Sequence, residues 1–418
     1  MRVVQVNTTD TIGGAGLAAY RLHQGLRSVS GIDSFLLVGI SATQDADVRA
    51  VYAGKTGYRL SRLAHVTTRK LGLAGLVEFP PAPVARRLLD SADLLHLHHI
   101  HGGFFSYPSL MRRAQRVPTV WTLHDMWSFT GGCAYSLECG RWREGCGECP
   151  QRRDLSMTFD TTAAHWRWKR RAYRSARLTI VTPSRWLAQL AQSSPLHEGF
   201  SVHCIPNGID TETFQPRDGG ELRREWGIPR DAPVALAQAG ARKGESLLPS
   251  IVAALPENLR KKVVLVLVGR DPVSEASRYP GIGQLVVTGY VSDQKRMADC
   301  YALADVFLHP SSADNLPNTL IESMACGTPA VAFDVGGCGE VIQHMETGYA
   351  ARAGDCADFA TGVALMLDDA ALRKSFQEHG RRLVSKEFST TVAVRRYRAL
   401  YESILGNVNK GPIWNTVD

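Results

Sequence analysis

The chain has no run approaching the roughly 18 apolar residues of a membrane-spanning helix, and its first strand-like segment, Val3-Val4-Gln5-Val6, has no signal-peptide shape. These absences exclude a helical membrane protein and point to the cytoplasm. A dinucleotide fingerprint is also missing. Gly13-Gly14-Ala15-Gly16 is not Gly-x-Gly-x-x-Gly, and Asp33 precedes the second strand instead of ending it. Nine cysteines, an odd number without an overall pairing framework, fit a reducing compartment. Acidic residues are scarce in the first half: residues 1–205 hold 25 Lys and Arg against 14 Asp and Glu, whereas residues 206–418 hold 23 against 26. The N-terminal half should therefore meet something anionic, such as a lipid diphosphate, a membrane surface or nucleic acid. No recognition-helix or RNP-type motif accompanies that charge.

What is present is enough for two cores. At 418 residues and 44% hydrophobic content, the chain suits two domains of about 200 residues each. Short apolar strands are expected at residues 3–7, 34–40, 94–100, 119–125, 178–184 and 201–206, and again at 234–239, 263–269, 285–290, 306–310 and 330–333, alternating with helical segments. That pattern is α/β, two Rossmann-like doubly wound sheets. Ile205-Pro206-Asn207-Gly208 marks a turn and the break, giving a first domain over 1–205 and a second over 206–387. One more helix follows over 388–405, and the unpatterned tail 406–418 is expected to be loosely held. Ligands of open α/β sheets bind at strand C-terminal ends, so two such domains facing each other would enclose a cleft.

Residues 309–329 are the most informative stretch. The strand ending in Val306-Phe307-Leu308-His309 turns into a helix carrying Leu320, Ile321 and Met324 at helical spacing. The N–H groups of Leu316 to Thr319 open that helix, and such a terminus favours phosphate. Asp314 in the turn and Glu322 on the helix are instead suited to sugar hydroxyls, which need acceptors. The blander reading is an Asx-turn Asp and a solvated helix Glu.

The pattern Pro310-Ser311-x-x-Asp314-Asn315-Leu316-Pro317-Asn318-x-x-x-Glu322-x-Met324-Ala325-Cys326-Gly327-Thr328-Pro329 resembles the donor site of family 4 retaining glycosyltransferases. That resemblance implies the two-domain GT-B fold, with the last helix crossing back to the N-terminal domain. It also implies a nucleoside diphosphate sugar as donor. Most members carry Glu where this chain has Asp314, one methylene shorter. By the same resemblance Glu322 accepts from ribose and Asp314 from the transferred sugar, while Leu316, Pro317, Asn318 and Thr319 border the diphosphate. Gly13, Gly14 and Gly16, followed by Ala18-Ala19-Tyr20-Arg21-Leu22-His23, are similar to the family's first loop, and Pro206-Asn207-Gly208-Ile209-Asp210 to its interdomain segment. His124 corresponds to the residue lining donor sugar and acceptor, with Asp125 and Ser184 on the acceptor side. It is not assigned as a base, because in retaining members the leaving diphosphate takes the proton. Lys243 matches the family's phosphate-binding Lys-Gly. Arg242 is the less secure match, since the family's Arg stands several residues earlier, where this chain has Gln238, Ala239 and Gly240. Gly336-Gly337 is similar to a glycine loop near the donor site.

Three features carry other possibilities. His96, His98, His99 and His101 invite a metal reading, but no carboxylate or Cys lies close in sequence, so a buried strand end is favoured. Cys133, Cys139, Cys146 and Cys149 are spaced C-x5-C-x6-C-x2-C. The terminal C-x2-C suits thiolate ligation, which makes structural zinc a candidate beside free thiols or a redox pair. This insertion, 133–149, resembles one bacterial branch of the family tied to polysaccharide assembly. Trp166 to Arg177 is a basic, aromatic helix, either a surface helix with its aromatics packed on the core or a patch meeting anionic lipid at the inner face of the membrane. The expected function is a retaining hexosyltransferase that uses no cofactor for catalysis and acts on a glycan or polyprenyl-diphosphate-linked acceptor. Nucleic acid is not an expected partner. The rivals are a basic zinc-containing nucleic-acid binder and a nucleotide-sugar hydrolase or epimerase of the same fold.

Overall fold

Runs such as Val264-Leu265-Val266-Leu267-Val268 are apolar at every position, the pattern of a strand buried on both faces of a parallel sheet. In the computed structural model, residues 1–52, 54–77, 80–155, 157–238, 245–269 and 276–406 are described. They divide into two units: Met1–Gly208 with the chain from Ala393 onward, and Ile209–Val392.

The first unit holds β1 (Arg2–Thr9), β2 (Asp33–Ile40), β3 (Val48–Ala50), β4 (Leu94–Leu97), β5 (Thr119–Thr122), β6 (Leu178–Thr182) and β7 (Ser201–Cys204) in the order β3-β2-β1-β4-β5-β6-β7. Every pairing is parallel. Alternate residues face opposite sides: Val4, Val6, Leu95 and Leu97 join one apolar cluster, and Val3, Leu94 and Val120 another. The second cluster is completed by Val394, Tyr397, Leu400 and Tyr401 of helix Thr390–Ile404. That helix is also tied by polar contacts, from the Tyr397 hydroxyl to Thr122 Oγ1 at 2.8 Å and from the Tyr401 hydroxyl to His96 Nδ1 at 2.6 Å.

The second unit holds β8 (Val234–Gln238), β9 (Val264–Val268), β10 (Gln284–Val287), β11 (Val306–His309), β12 (Ala330–Phe333) and β13 (Gly348–Ala351) in the order β10-β9-β8-β11-β12-β13, again all parallel. Its residues also alternate, Leu236, Val266 and Phe307 to one cluster and Ala237, Leu267 and Leu308 to the other. The two doubly wound sheets expected from the sequence are therefore present. Two edge strands were not anticipated. β3 is only three residues long, and β13 contains a glycine and a polar-tipped tyrosine, so neither has a distinctive apolar run. β4 and β5 end earlier than periodicity suggests, because His98–His101 and Leu123–Asp125 leave the sheet for loops.

Candidate active site

In the first unit β1 passes through Asp10-Thr11-Ile12 into helix Gly13–Arg27. Gly13 has φ of 76°, in the left-handed region that favours glycine. Gly16 is required by packing, since a Cβ there would lie 2.6 Å from Thr9 Oγ1 and 3.1 Å from the Asp10 carbonyl oxygen. Gly14 follows Gly13 in the first turn, and Ile12 at the cap contributes no side-chain acceptor to the terminus. Asp10 braces this loop. Burial pushes its carboxyl up, but the amides of Thr43, Thr11 and Ala42 and the Thr43 hydroxyl outweigh burial and hold it below its ordinary value. Nothing in the spacing of Asp10 distinguished it from other loop aspartates.

The histidines divide into two groups. The rings of His96 and His98 lie 4.0 Å apart, tilted by 33°, and both are buried. His96 Nε2 meets Thr122 Oγ1 at 2.7 Å, and His98 Nε2 meets Gln5 Oε1 at 2.9 Å. An amide oxygen only accepts, so His98 Nε2 donates, His98 Nδ1 accepts, and His124 Nε2 donates to it at 3.2 Å. Nδ1 is then the acceptor atom of His124. Burial is the chief reason that His124 is pushed down to about 4, so the ring is neutral near pH 7.

His99 and His101 turn to the other side, where the fold supplies the carboxylate that the sequence lacked nearby. Asp125 Oδ2 lies 2.9 Å from His101 Nε2 and 4.0 Å from His99 Nε2, and Asp125 Oδ1 accepts from the Trp127 amide at 2.8 Å. Burial acts to raise the Asp125 carboxyl, but His101, His99 and that amide outweigh it and hold it well below the usual carboxylate range. Among the described residues, His99, His101 and Asp125 form a group whose three ligand atoms lie within 4.8 Å of one another. The buried strand end expected from the sequence is present at His96 and His98, and a carboxylate distant in sequence reaches His101 because β4 and β5 are adjacent and deliver their loops together.

In the second unit β11 ends at His309 and helix Asn318–Ala325 begins behind Pro317, whose ring carries no acceptor for the first amides, those of Asn318 and Thr319. Leu316 is buried and anchors the turn in the core. Glu322 is only 5% exposed, which rules out the solvated helix Glu, and its Oε2 accepts from the Tyr301 hydroxyl at 3.2 Å. Burial, then Glu322, pushes the Tyr301 phenol well above its ordinary value, so it stays a donor. Asp314 Oδ1 accepts from the Asn315 amide at 3.0 Å, and Oδ2 lies 3.5 Å from His309 Nε2. The loop after β12 pins the Asp314 backbone. The Gly337 amide donates to its carbonyl at 3.1 Å, and a Cβ on Gly336, where φ is 58°, would lie 1.8 Å from that oxygen. Tyr301 and His309 were not singled out from the sequence, since their roles depend on neighbours 21 and 5 residues away that only the fold brings close.

Two family models match this chain, Glycosyltransferase Family 4 over residues 12–213 and Glycosyl transferases group 1 over residues 220–383. It belongs to the family 4 glycosyltransferases of the GT-B fold. The chain is 28% identical over 219 residues to N-acetyl-alpha-D-glucosaminyl L-malate synthase of Bacillus anthracis, covering 51% of this chain and 56% of that protein. It is 27% identical over 263 residues to WcaC of Escherichia coli K12, whose name assigns it provisionally to colanic acid biosynthesis, covering 60% and 62%. The matched region thus spans less than two thirds of these relatives. Among solved structures, sucrose-phosphate synthase from Thermosynechococcus elongatus superposes with TM-score 0.71 at 19% identity over 97% of this chain and 100% of that one. Anabaena HepE, crystallised with UDP and glucose, gives 0.66 at 16% over 96% and 100%. WaaG, a glycosyltransferase involved in lipopolysaccharide biosynthesis, gives 0.62 at 15% over 97% and 100%.

Some expected site residues stand apart from the groups above. Arg242 and Lys243 lie outside the described residues. Ser184 is fully buried and caps helix Arg185–Gln192, accepting from the Leu187 amide at 3.1 Å. Asn207 lies just before the end of the first unit. In helix Thr162–Tyr173, Trp166, Lys169 and Tyr173 are buried, so the side of the helix that carries them faces the core and cannot form a lipid-facing patch. Among the described residues no helix is long and apolar enough to cross a membrane.

Proposed function

We propose that this chain transfers a hexose, with retention of configuration and without a catalytic metal, from a nucleoside diphosphate sugar to a glycan or polyprenyl-diphosphate-linked acceptor in cell-surface polysaccharide assembly. The observation that carries this reading is the turn between β11 and helix Asn318–Ala325. It sets Asp314, fixed through its backbone by Gly336 and Gly337, and Glu322, buried and held by Tyr301, on either side of a helix N-terminus. That terminus suits a diphosphate, Glu322 suits ribose hydroxyls and Asp314 the hydroxyls of the transferred sugar. His124, neutral near pH 7, is assigned by the family resemblance to line the transferred sugar and the acceptor. Asp125 and Ser184 are assigned to the acceptor side, Asp125 as a contact residue and Ser184 through the helix that it caps. Gly13, Gly14, Gly16 and Asn207 border the donor. Lys243, and Arg242 beside it, offset the charge of the departing diphosphate.

In the step itself the anomeric carbon–oxygen bond to the diphosphate breaks, and the bond to the acceptor oxygen forms on the same face. The acceptor's hydroxyl proton passes to the leaving diphosphate. The crystallisation of HepE with UDP and with UDP-glucose, the involvement of WaaG in lipopolysaccharide biosynthesis and the provisional place of WcaC in colanic acid biosynthesis support the donor class and the pathway class. Thermal shift across UDP-, GDP-, TDP- and ADP-sugars tests it. A cognate donor at about 100 times its Kd should add about 2.7 kcal/mol of stability, and acceptor should be required for sugar release. No shift with any nucleotide sugar would overturn the reading. Release at an equal rate without acceptor would make the chain a hydrolase.

A further inference from the structure

A second chemistry collects in the cysteine-rich insertion. Cys133, Cys139, Cys146 and Cys149 line one cavity of about 20 Å³ together with Trp142 and Thr162, room for about one water-sized sphere. None of the four is in a disulfide. Gly145, Cys146, Gly147 and Glu148 all have positive φ, 134°, 58°, 101° and 44°, so the last Cys-x-x-Cys is wound into a hook that two non-glycine residues enter only under strain. Burial pushes the thiols of Cys133, to about 11, and of Cys146 and Cys149 up, so they are protonated without a metal; the Gly131 amide, donating to Cys146 Sγ at 3.2 Å, and the Gln151 amide at Cys149 act against burial. Amide donors to sulfur favour the thiolate.

Beside this cavity lies Lys169, fully buried. Its ammonium donates to the carbonyls of Trp127 and, at 3.0 Å, Thr130, and sits 3.5 Å from the centre of the Trp127 ring. Among the described residues no carboxylate accepts from it. Burial pushes Lys169 down to about 7, and Cys133, Cys146 and Asp125 act the other way, so negative charge gathered at the cysteines would hold it as an ammonium. Asp125 is already engaged by His101 and the Trp127 amide.

We propose that Cys133, Cys139, Cys146 and Cys149 hold one zinc ion as a tetrathiolate whose negative charge is balanced by Lys169. Zinc displaces the four thiol protons to solvent as four Zn–S bonds form, leaving a site of charge −2 against the +1 ammonium. No three of the sulfurs lie mutually within 4.8 Å in this structure, so binding draws them inward around the cavity. Lys169 bonds to Trp127 and Thr130 on the segment that starts at Asp125. The ion thereby braces that segment, and this role does not depend on the transfer reaction.

The full chain, purified without added metal, should contain about one equivalent of zinc. Exchange for cobalt should give an intense thiolate-to-metal charge-transfer band. The other group able to take a metal, His99, His101 and Asp125, has no sulfur and would give none. Cys146→Ser with Cys149→Ser should lose the ion and the band, whereas His99→Gln with His101→Gln should keep both. Lys169→Met should keep the ion but release it to chelator about ten times faster, the scale of losing an outer-shell partner. A folded, metal-free protein with four freely titrating thiols, or zinc that follows the histidine pair, overturns the site. The cobalt spectrum of the parent decides this even if the cysteine variants fail to fold. An unchanged release rate in Lys169→Met overturns the charge balance.

Discussion

At the scale of single residues, the two carboxylates near helix Asn318–Ala325 differ in setting and should differ in function. Glu322 is buried and takes a hydrogen bond from Tyr301, whereas Asp314 sits in a turn, partly open, beside His309. A free nucleoside diphosphate contains ribose but no transferred sugar. Glu322→Gln should therefore weaken binding of the bare diphosphate, and Asp314→Asn should leave it nearly intact. Asp314→Asn should instead depress transfer and relax discrimination among donors, because a charge-assisted hydrogen bond contributes on the order of 1.5–3 kcal/mol. Calorimetric titration of both variants with the diphosphate and with intact donor separates these roles. Equal weakening of the bare diphosphate by the two variants would contradict the assignment. The motif that placed these residues was visible in the sequence, but their partners Tyr301 and His309 were not.

At the scale of elements, a surface suited to an anionic bilayer is offered by a helix other than the basic aromatic stretch, which keeps Arg167, Trp168, Arg170 and Arg171 exposed. Helix Thr162–Tyr173 turns Trp166, Lys169 and Tyr173 into the core. Helix Gly54–Lys70 instead leaves Leu60, Leu63 and Val66 about half exposed at 52%, 66% and 47%, spaced by three along one side, with Leu71 exposed just beyond. Arg59, Arg62, Arg69 and Lys70 are exposed around them. An apolar row flanked by cations is the composition of an interfacial helix, and a lipid-linked acceptor would be met at such a surface. Leu60→Gln with Leu63→Gln should reduce sedimentation with anionic vesicles, and Arg62→Gln with Arg69→Gln should reduce it in a salt-dependent way. Equal binding of the parent to anionic and neutral vesicles, or none to either, would end this proposal. Loss of self-association in the leucine variant would assign the row to a second copy of the chain.

For the whole molecule, the histidines make stability uneven with pH. His23, His124 and His165 are pushed down to about 4 and His197 to about 3, each chiefly by burial, and His96 and His98 lie well below their ordinary value for the same reason. All belong to the first unit. Between about pH 6.5 and 4 the unfolded chain binds protons that the folded chain does not, so stability falls as pH falls through that window. Hydrogen exchange followed by mass spectrometry at pH 7 and pH 5, corrected for intrinsic rates, should show lost protection in peptides from β4 and β5. Peptides from β9 and β11 should change less. Equal change in both units would contradict the linkage.

The order of elements and the two parallel sheets were legible in the sequence because strands buried on both faces must be apolar throughout, and such runs are hard to mistake. The strand, turn and helix across 306–325 were legible as well, since helix starts and turns depend on near neighbours. The tertiary structure alone decided which polar groups meet. Adjacent β4 and β5 bring Asp125 against His101, the glycine loop after β12 locks Asp314, and packing buries Lys169 near Cys133 and Cys146. Contacts between residues far apart in the chain are set by sheet order and register, which no local pattern of residues encodes.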